Sequence, residues 1–268
     1  MGQYILGTSD HERERLAFQQ VVWGAVTERF LDRLHVPEGG RVLDAGCGSG
    51  AMLESLRARV GTTGRVTALD ESAEYLAHAA KLCGEHGWRN VHIVQSRLET
   101  AHLEERSFDV VFARWVLSFV ADPAALIARF AAALRPRGVL AIQDYNHEGI
   151  SLFPASEGFR AIVRATRDLY ARSGGDPWIA ARLPALARQA GLEPFELHPT
   201  VLCGGPDSPV FRWADAFFPH HSASVVEAGV LSAAERALFL REWEERKRDP
   251  QALFFSPIVV DFAARKPR

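Results

Sequence analysis

Residues 41–50 join a short apolar strand to a glycine-rich turn. The segment reads RVLDAGCGSG, so a carboxylate stands just before three glycines that alternate with other residues. Glycine permits the positive φ angles of a tight strand-to-helix turn and lets a ligand approach the backbone closely. The pattern therefore predicts a ligand-binding turn. Its candidate contacts are Asp44, Gly46, Cys47, Gly48 and Gly50.

The glycines alone do not choose between two kinds of nucleotide ligand. With Ala51 they match the G-x-G-x-x-G/A pattern of dinucleotide-binding folds. A dinucleotide places its pyrophosphate over the helix N-terminus, where the carboxylate of Asp44 would repel it. S-adenosylmethionine carries a sulfonium and an ammonium, which a carboxylate attracts. Asp44 therefore favours S-adenosylmethionine, and a NAD(P)-dependent oxidoreductase is the alternative.

A second carboxylate ends the next predicted strand. Asp70 follows the apolar run 65–69 and is itself followed by Glu71. A carboxylate in this place accepts hydrogen bonds from the hydroxyls of an adenosine ribose. We expect Asp70 to hold a ribose, with Glu71 close by. The alternative role of Asp70 is to cap the following helix.

Five segments of the chain, taken in order, resemble one protein family. They are residues 42–50, 69–72, 107–112, 134–140 and 143–144. Over about residues 40–145 the chain resembles the class I S-adenosylmethionine-dependent methyltransferases, and residues 4–7, 14–16 and Gln19 are similar to bacterial small-molecule members. The resemblance implies an α/β fold with a doubly wound, mostly parallel seven-stranded sheet. It also implies S-adenosylmethionine as cofactor and a small-molecule methyl acceptor.

The resemblance assigns roles to the loops after the third and fourth strands. The family often places an aspartate after the third strand to accept from the adenine amino group, but here Arg97 stands there and has no acceptor. Adenine would then be held by the backbone of Leu98 or by stacking on the Arg97 guanidinium. The alternative is an ion pair of Arg97 with Glu99 or Glu71. After the fourth strand, the backbone carbonyl of Arg114 would receive the methionine ammonium.

Polar residues after the fifth predicted strand are the candidate catalytic groups. Residues 144–148 read DYNHE, at the edge of the sheet where the acceptor would bind. Methyl transfer needs a base only if the acceptor must lose a proton, and His147 titrates in a suitable range. We therefore predict Tyr145, His147 and Glu148 as catalytic residues, with Glu148 as orienter or second base. Exposed loop positions, or a cofactor-binding protein without transferase activity, are the alternatives.

The spacing of hydrophobic residues along the chain switches repeatedly between the period of a helix and that of a strand. This spacing predicts the helices and strands that position the candidate residues. We expect a single methyltransferase domain over residues 1–268. Its predicted parts are a helical cap (1–40), a cofactor-binding core (41–150), a lid insertion (151–177) and a C-terminal part of the sheet (178–268) with a second helical insertion (207–249). Strands are predicted at 41–44, 65–69, 91–95, 108–113, 139–143, 195–202 and 253–264.

Composition limits the possible partners. Of 268 residues, 47% are hydrophobic and 24% charged, and the formal net charge is −2. The chain lacks the overall positive charge that would hold a nucleic acid or an anionic membrane. Its three cysteines are widely separated, and no apolar run approaches the about 20 residues that cross a bilayer. We expect a cytoplasmic monomer or homodimer that binds no nucleic acid, membrane or metal.

Overall fold

The computed structural model describes residues 10–268, with side chains from residue 15 onward. The similarity at residues 4–7 therefore lies outside the described residues. The helices are α1 (Asp10–Leu34), α2 (Leu53–Val60), α3 (Ala73–Glu85), α4 (Pro123–Ala133), α5 (Glu157–Arg172), α6 (Ile179–Gln189), α7 (Pro209–Glu227) and α8 (Ala233–Arg246). The strands are β1 (Arg41–Ala45), β2 (Arg65–Asp70), β3 (Val91–Gln95), β4 (Phe108–Arg114), β5 (Leu134–Asn146), β6 (Ser151–Phe153), β7 (Glu193–Thr200), β8 (Cys203–Gly204), β9 (Leu253–Phe255) and β10 (Ile258–Arg265).

Seven strands form one sheet in the order β3-β2-β1-β4-β5-β10-β7. Strands β1 to β5 run parallel to one another, whereas β10 pairs antiparallel with both β5 and β7. The chain moves outward from β1 to β3 and then returns to β4 on the other side of β1. Ligands of open α/β sheets bind beyond the carboxyl ends of the strands where the order reverses in this way. The predicted doubly wound, mostly parallel seven-stranded sheet is confirmed.

Helices cover both faces of this sheet because its central strands bury side chains on both sides. In β1 four of the five residues are buried. Successive residues enter different hydrophobic clusters: Leu43 packs with α4 and α6, whereas Val42 packs with α1, α2 and α3. The short apolar strands of the sequence therefore need no alternation of polar and apolar residues.

A third hydrophobic cluster belongs mainly to the two segments predicted as insertions. It contains residues of α5, α7 and α8 and of a second sheet in the order β6-β9-β8, which together we call the lid. Its centre is aromatic, since the rings of Phe159 and Phe211 both stack on Trp243 at centroid distances of 5.6 and 4.9 Å. Trp23 and Val26 of α1 join this cluster. The two insertions therefore share one core, and α1 contacts both the lid and the large sheet.

The last predicted strand is wrong in extent. Residues 253–264 divide into β9 in the small sheet and β10 in the large sheet. The division falls at Ser256 and Pro257, since proline has no N–H to donate. Ser256 N donates to the carbonyl of Leu202 at 2.9 Å, and Leu202 N donates to Ser256 Oγ at 3.0 Å. The same contact lies beyond the end of β7, which covers 193–200 rather than the predicted 195–202.

Polar side chains cap several of the helices. Asp122 caps α4, because its Oδ1 accepts from Ala125 N at 2.9 Å and Pro123 takes the first helical position. Ser72 caps α3 through a hydrogen bond from Tyr75 N. None of the helices within the described residues has the length and apolar character to cross a membrane. The assignment of the whole chain to a single domain stays a prediction.

Candidate cofactor and acceptor site

A cavity of about 500 Å³ lies beyond the carboxyl ends of β1, β2, β4 and β5. Its volume is within the range of small-molecule sites. One part, the glycine end, is lined by the loops after β1, β2 and β3. The other part, the aromatic end, is lined by residues that follow β4 and β5 and by residues of α1, α5 and α7. The sheet therefore supplies the floor of the cavity, and the lid and α1 supply its cover.

The glycine turn has the positive φ angles that the sequence predicts, but Gly50, a predicted ligand contact, does not line the cavity. Gly46 has a φ of 75°, and a Cβ at this position would lie only 2.6 Å from Cγ2 of Val116. Gly48 also has a positive φ of 54°, but a Cβ there would meet no atom of the described residues within 4 Å. The amides of Gly46 and Cys47 both donate to the carbonyl of Leu69, at 2.8 and 3.0 Å. These bonds fix the turn against β2 and leave its Gly48 side open to the cavity.

Asp44 is a buried carboxylate with an unsatisfied oxygen. It is 3% exposed, and its Oδ2 has no hydrogen-bond partner among the residues that the structure describes. Burial raises the pKa of Asp44 to about 7, against the attraction of Arg114 and with a smaller contribution from the negative charge of Asp70. An unpaired buried oxygen is costly, so this position fits a ligand that brings a cation or an N–H donor. An ammonium meets that requirement, whereas a pyrophosphate does not.

Asp70 supports the turn from the next strand. Its Oδ2 accepts from Gly48 N at 2.9 Å, and its Oδ1 accepts from Ser72 N at 2.9 Å. Because each carboxylate oxygen has two lone pairs, these bonds leave capacity for ribose hydroxyls. The side-chain cap of α3 is Ser72, while Asp70 shapes the turn that precedes the helix. Asp70 and Glu71 both line the cavity.

Arg97 makes the ion pairs that the sequence analysis gave as an alternative. Its Nε lies 3.7 Å from Oε2 of Glu71 and 3.6 Å from Oε2 of Glu99. All three side chains are about half exposed, so each pair contributes at most about 1 kcal/mol. Arg97 and Leu98 also line the cavity. Stacking of adenine on Arg97 stays a prediction.

Arg114 contributes a side chain that sequence reasoning missed. Its Nη1 donates to Thr27 Oγ1 of α1 at 3.1 Å, and its guanidinium carbon lies 4.4 Å from the ring centroid of Trp115. Thr27 in turn donates to Gln143 Oε1 at 2.7 Å, and Gln143 Nε2 donates to Asp261 at 2.6 Å. Burial lowers the pKa of Arg114 to about 10, with Asp44 acting in the opposite direction. A buried hydrogen-bond chain thus joins the cavity, α1 and the sheet.

Tyr145 and His147 lie together at the aromatic end. Tyr145 stacks on Trp115 at 5.7 Å and contacts the edge of His147 at 5.5 Å. His147 is 5% exposed, and within the described part of the chain its Nδ1 has no hydrogen-bond partner. Burial, with repulsion from Arg167 and then His221, lowers the pKa of His147 to about 3. The imidazole is therefore neutral at physiological pH, and it accepts a hydrogen bond more readily than a proton.

Glu148 lies elsewhere. It is exposed, its carboxylate accepts from Trp178 Nε1 at 2.8 Å, and it does not line the cavity. Asp144, in the same predicted cluster, has its Oδ2 bonded to the amides of residues 116, 117 and 118 at 3.1, 2.8 and 3.3 Å. It stabilises the turn after β4. The structure brings Tyr145 and His147 together but separates Glu148 from them, because alternate residues of the turn point in different directions.

Other residues of the aromatic end come from α1, α5 and α7. The sequence signals for these residues are weak: Arg15, Leu16 and Gln19 are similar to the family but have no role assigned, and the aromatic group at 211–218 is more typical of a core than of a pocket. In the structure Trp213 donates to Gln19 at 3.2 Å, and Phe217 lines the cavity. His221 is buried and stacks on Phe217 at 4.7 Å. Packing between distant helices decides these positions.

Comparisons with known proteins agree with this geometry. A family model described as a methyltransferase domain matches residues 42–138. The ubiquinone biosynthesis O-methyltransferase of Thiobacillus denitrificans is 32% identical over 188 residues, which cover 69% of this chain and 77% of that protein. The aklanonic acid methyltransferase of Streptomyces sp. (strain C5) is 34% identical over 113 residues, 42% of this chain and 51% of that protein.

A solved structure supports the fold. The SAM-dependent methyltransferase of Aquifex aeolicus superposes with a TM-score of 0.51 and 22% identity, covering 63% of this chain and 81% of that chain. The chain spans about half the length of most of the curated relatives it matches. The relative from T. denitrificans is covered far more completely. On the glycine turn, the sheet order and these similarities, the chain belongs to the class I S-adenosylmethionine-dependent methyltransferase family.

Proposed function

We propose that this protein transfers the methyl group of S-adenosylmethionine to O, N or C of a small organic molecule bound at the aromatic end. The observation that carries the proposal is the unsatisfied Oδ2 of buried Asp44 beside the glycine turn. It calls for a cationic ligand at the carboxyl end of β1, which a nicotinamide dinucleotide does not provide there. Relatives named as O-methyltransferases support the same class of reaction.

The residues of the glycine end fit the parts of the cofactor one by one. Asp44 would accept from the methionine ammonium, and Asp70 would accept from the ribose hydroxyls beside Gly48. Leu98 and Arg97 would contact the adenine. When bound, S-adenosylmethionine supplies a methyl group on a positively charged sulfur, and it leaves as S-adenosylhomocysteine once the acceptor atom has taken that methyl group.

The aromatic end would act by orientation and by exclusion of water. The rings of Trp115, Tyr145 and Tyr170 line this part of the cavity and limit the solvent around the acceptor. His147 Nδ1 would accept a hydrogen bond from the acceptor and orient it. Because the pKa of His147 lies near 3, we do not propose a strong general base, and an acceptor proton would leave to water. Glu148 has no part in this proposal.

Calorimetric titration with S-adenosylhomocysteine tests the cofactor. Asp44→Asn keeps the shape of the side chain but removes its charge, so we expect a loss of about 1.5–3 kcal/mol, or about 10- to 150-fold in affinity. Asp109→Asn is the matched control, since Asp109 accepts from Arg41 N and Arg135 at the amino ends of the strands. Equal effects of both variants, or tight binding of NADH without a response to S-adenosylhomocysteine, would overturn the proposal.

Transfer itself is tested with methyl-labelled S-adenosylmethionine and a panel of phenols, carboxylic acids and amines. Label in a small-molecule product supports the proposal. Binding of S-adenosylhomocysteine with no labelled product across the panel favours the alternative of a cofactor-binding protein without transferase activity. Cytoplasmic location, the absence of a nucleic-acid partner, and the monomeric or homodimeric state stay predictions.

A further inference from the structure

We propose that Thr27 of α1 is a positioning residue for cofactor binding. Its hydroxyl holds the guanidinium of Arg114 near Asp44, so a helix that covers the cavity contributes to the charge at the site for the methionine ammonium. This proposal rests on the proposed function, because it concerns the same cofactor. Three features of the described residues support it: a row of polar side chains on one face of the sheet, the direction of the hydrogen bonds along that row, and the charges that act on Asp44.

A row of polar side chains crosses the face of the sheet that α1 covers. Arg114 of β4 pairs with Gln143 of β5, and Gln143 pairs with Asp261 of β10. In the preceding row Asp44 of β1 pairs with Phe112, which belongs to the same hydrophobic cluster as residues of α1. Alternate residues of a strand point to the same face, so Phe112 and Arg114 share a face. The side chains of Asp44 and Arg114 therefore lie on one face of the sheet, in adjacent rows.

Asp261 fixes the outer end of this row. Its Oδ2 lies 2.7 Å from Nη2 of Arg33, which also pairs with Glu196, and its Oδ1 accepts from Nε2 of Gln143 at 2.6 Å. Burial raises the pKa of Asp261, while the hydrogen bond from Gln143 and the charges of Arg33 and His198 act in the opposite direction. An ionised carboxylate only accepts hydrogen bonds. Gln143 therefore turns its amide nitrogen toward Asp261 and its amide oxygen away from it.

Thr27 transmits this direction to Arg114. Its Oγ1 donates to Oε1 of Gln143 at 2.7 Å, whereas its contact with the carbonyl of Trp23 is longer, at 3.3 Å. Because a hydroxyl has one hydrogen and two lone pairs, the same oxygen then accepts from Nη1 of Arg114, at 3.1 Å. Thr27 is fully buried, so bulk water does not compete for these bonds. One hydroxyl of α1 thus anchors the guanidinium.

Arg114 is a cation that acts on Asp44. Among the described residues, Tyr145 of β5 and Glu28 of α1 also act on Arg114, and Asp70 of β2 also acts on Asp44. Burial raises the pKa of Asp44 to about 7 against the attraction of Arg114, and Asp70 adds to the rise. If the guanidinium moved away, that pKa would rise further, and less of the carboxyl would be ionised at neutral pH. A hydroxyl of α1 would then influence the ammonium site without contacting the cofactor.

The test measures the protons released when S-adenosylhomocysteine binds at pH 7.5, by calorimetry in buffers of different ionisation enthalpy. With a pKa of about 7, roughly a quarter of the Asp44 carboxyls are protonated at this pH and must ionise to bind the ammonium. The ligand's own amino group contributes equally in every variant, so differences between variants report on the protein. A change in packing alone alters the affinity but leaves the number of protons unchanged.

Thr27→Val keeps the shape of the side chain but removes the hydroxyl. The guanidinium of Arg114 still packs on Trp115, 4.4 Å from the ring centroid, so we expect part of its attraction for Asp44 to be lost. Proton release should rise from about a quarter to about three quarters of a proton, which is a tenfold change in the ionisation constant of Asp44. Thr27→Ser keeps the hydroxyl and should stay at about a quarter. Arg114→Met should raise the release at least as far as Thr27→Val.

Ser222→Ala is the matched control. Ser222 of α7 is another fully buried hydroxyl that accepts from an arginine: it donates to the carbonyl of Pro219 at 2.6 Å and accepts from Nε of Arg236 at 2.9 Å. It is not among the described residues that line the cavity. The variant should unfold at lower urea concentration, as Thr27→Val does, but release the same number of protons as the wild type. An equal increase in both variants would show a general effect of destabilisation and would overturn the proposal.

The double variant Thr27→Val/Asp44→Asn identifies the group that responds. It should release within about a tenth of a proton of Asp44→Asn alone, and a persisting increase would mean that a group other than Asp44 titrates and that the proposal is wrong. If Thr27→Val does not fold, Thr27→Ala takes its place, since alanine has the higher helix propensity, and should change the release in the same direction. If the wild type binds S-adenosylhomocysteine but neither Thr27 variant nor Arg114→Met releases more protons, the proposal fails and the proposed function stands. If the wild type binds no S-adenosylhomocysteine, the proposed function fails as well.

Discussion

Protonation of Asp44 should make cofactor binding depend on pH near neutrality. Burial raises the pKa of this carboxyl to about 7 in the ligand-free protein, and an ammonium beside it would lower that pKa. Binding therefore selects the ionised form. Below pH 7 a proton must first be released, and affinity falls as pH falls.

The size of the effect follows from that pKa. With a pKa of about 7, roughly one carboxyl in eleven is ionised at pH 6 and about three in four at pH 7.5. Affinity for S-adenosylhomocysteine should therefore rise about eightfold between these values, or about 1.2 kcal/mol. The upper limit of pH 7.5 keeps the ligand's own α-amino group mostly protonated, since such a group has a pKa near 8.

Calorimetry in buffers with different ionisation enthalpies measures both affinity and the protons released. At pH 7 we expect about half a proton to leave per ligand bound. Asp44→Asn should have a flat profile, and 5′-methylthioadenosine should have a flat profile with the wild type because it brings no ammonium. Asp144, with a pKa raised by burial to about 6, keeps its amide partners in both states and should cancel. A flat profile for S-adenosylhomocysteine with the wild type would refute the role given to Asp44.

Three further substitutions test other contacts. Gly46→Ala should abolish binding of S-adenosylhomocysteine and lower the free energy of unfolding by about 1–3 kcal/mol. The φ angle at this position is positive, and the new Cβ would meet Val116 at 2.6 Å. A variant that binds S-adenosylhomocysteine as the wild type does would contradict this prediction. Thr27→Val should lower the free energy of unfolding by about 1–3 kcal/mol, as measured by urea titration, since it leaves Gln143 Oε1 without its donor. Glu148→Gln should leave kcat/KM within twofold of the wild type, and a loss of tenfold or more would restore Glu148 to the catalytic residues.

Much of the sheet was predictable because its determinants are local. The apolar runs of β1, β2 and β4 are buried on both faces, so each short segment indicates a strand by itself. The prediction of a single strand at 253–264 failed because of a tertiary contact. Ser256 is held by Leu202, more than fifty positions earlier, and nothing in the local pattern signals that contact.

The two ends of the cavity also differed in how well the sequence predicted them. The glycine end depends on residues close together in sequence, and the predicted positions of Asp44, Gly46 and Asp70 all line the cavity. The aromatic end depends on the packing of α1, α5 and α7, which brings Arg15 beside Phe217 across two hundred residues. A helical spacing of apolar residues tells that a face is buried, but it does not tell what the face is buried against.

Helix α1 has a consequence for how acceptor preference could be altered. It runs over Asp10–Leu34, about 38 Å at 1.5 Å per residue, and is a single continuous helix. Phe30 near one end lies in the sheet core, whereas Arg15 near the other end lies in the wall of the cavity. Exchanging loops of the lid between relatives would leave this rod unchanged. A chimera designed for a new acceptor should therefore take α1 and α7 from the same parent protein, because the two helices pack against each other and should be exchanged together.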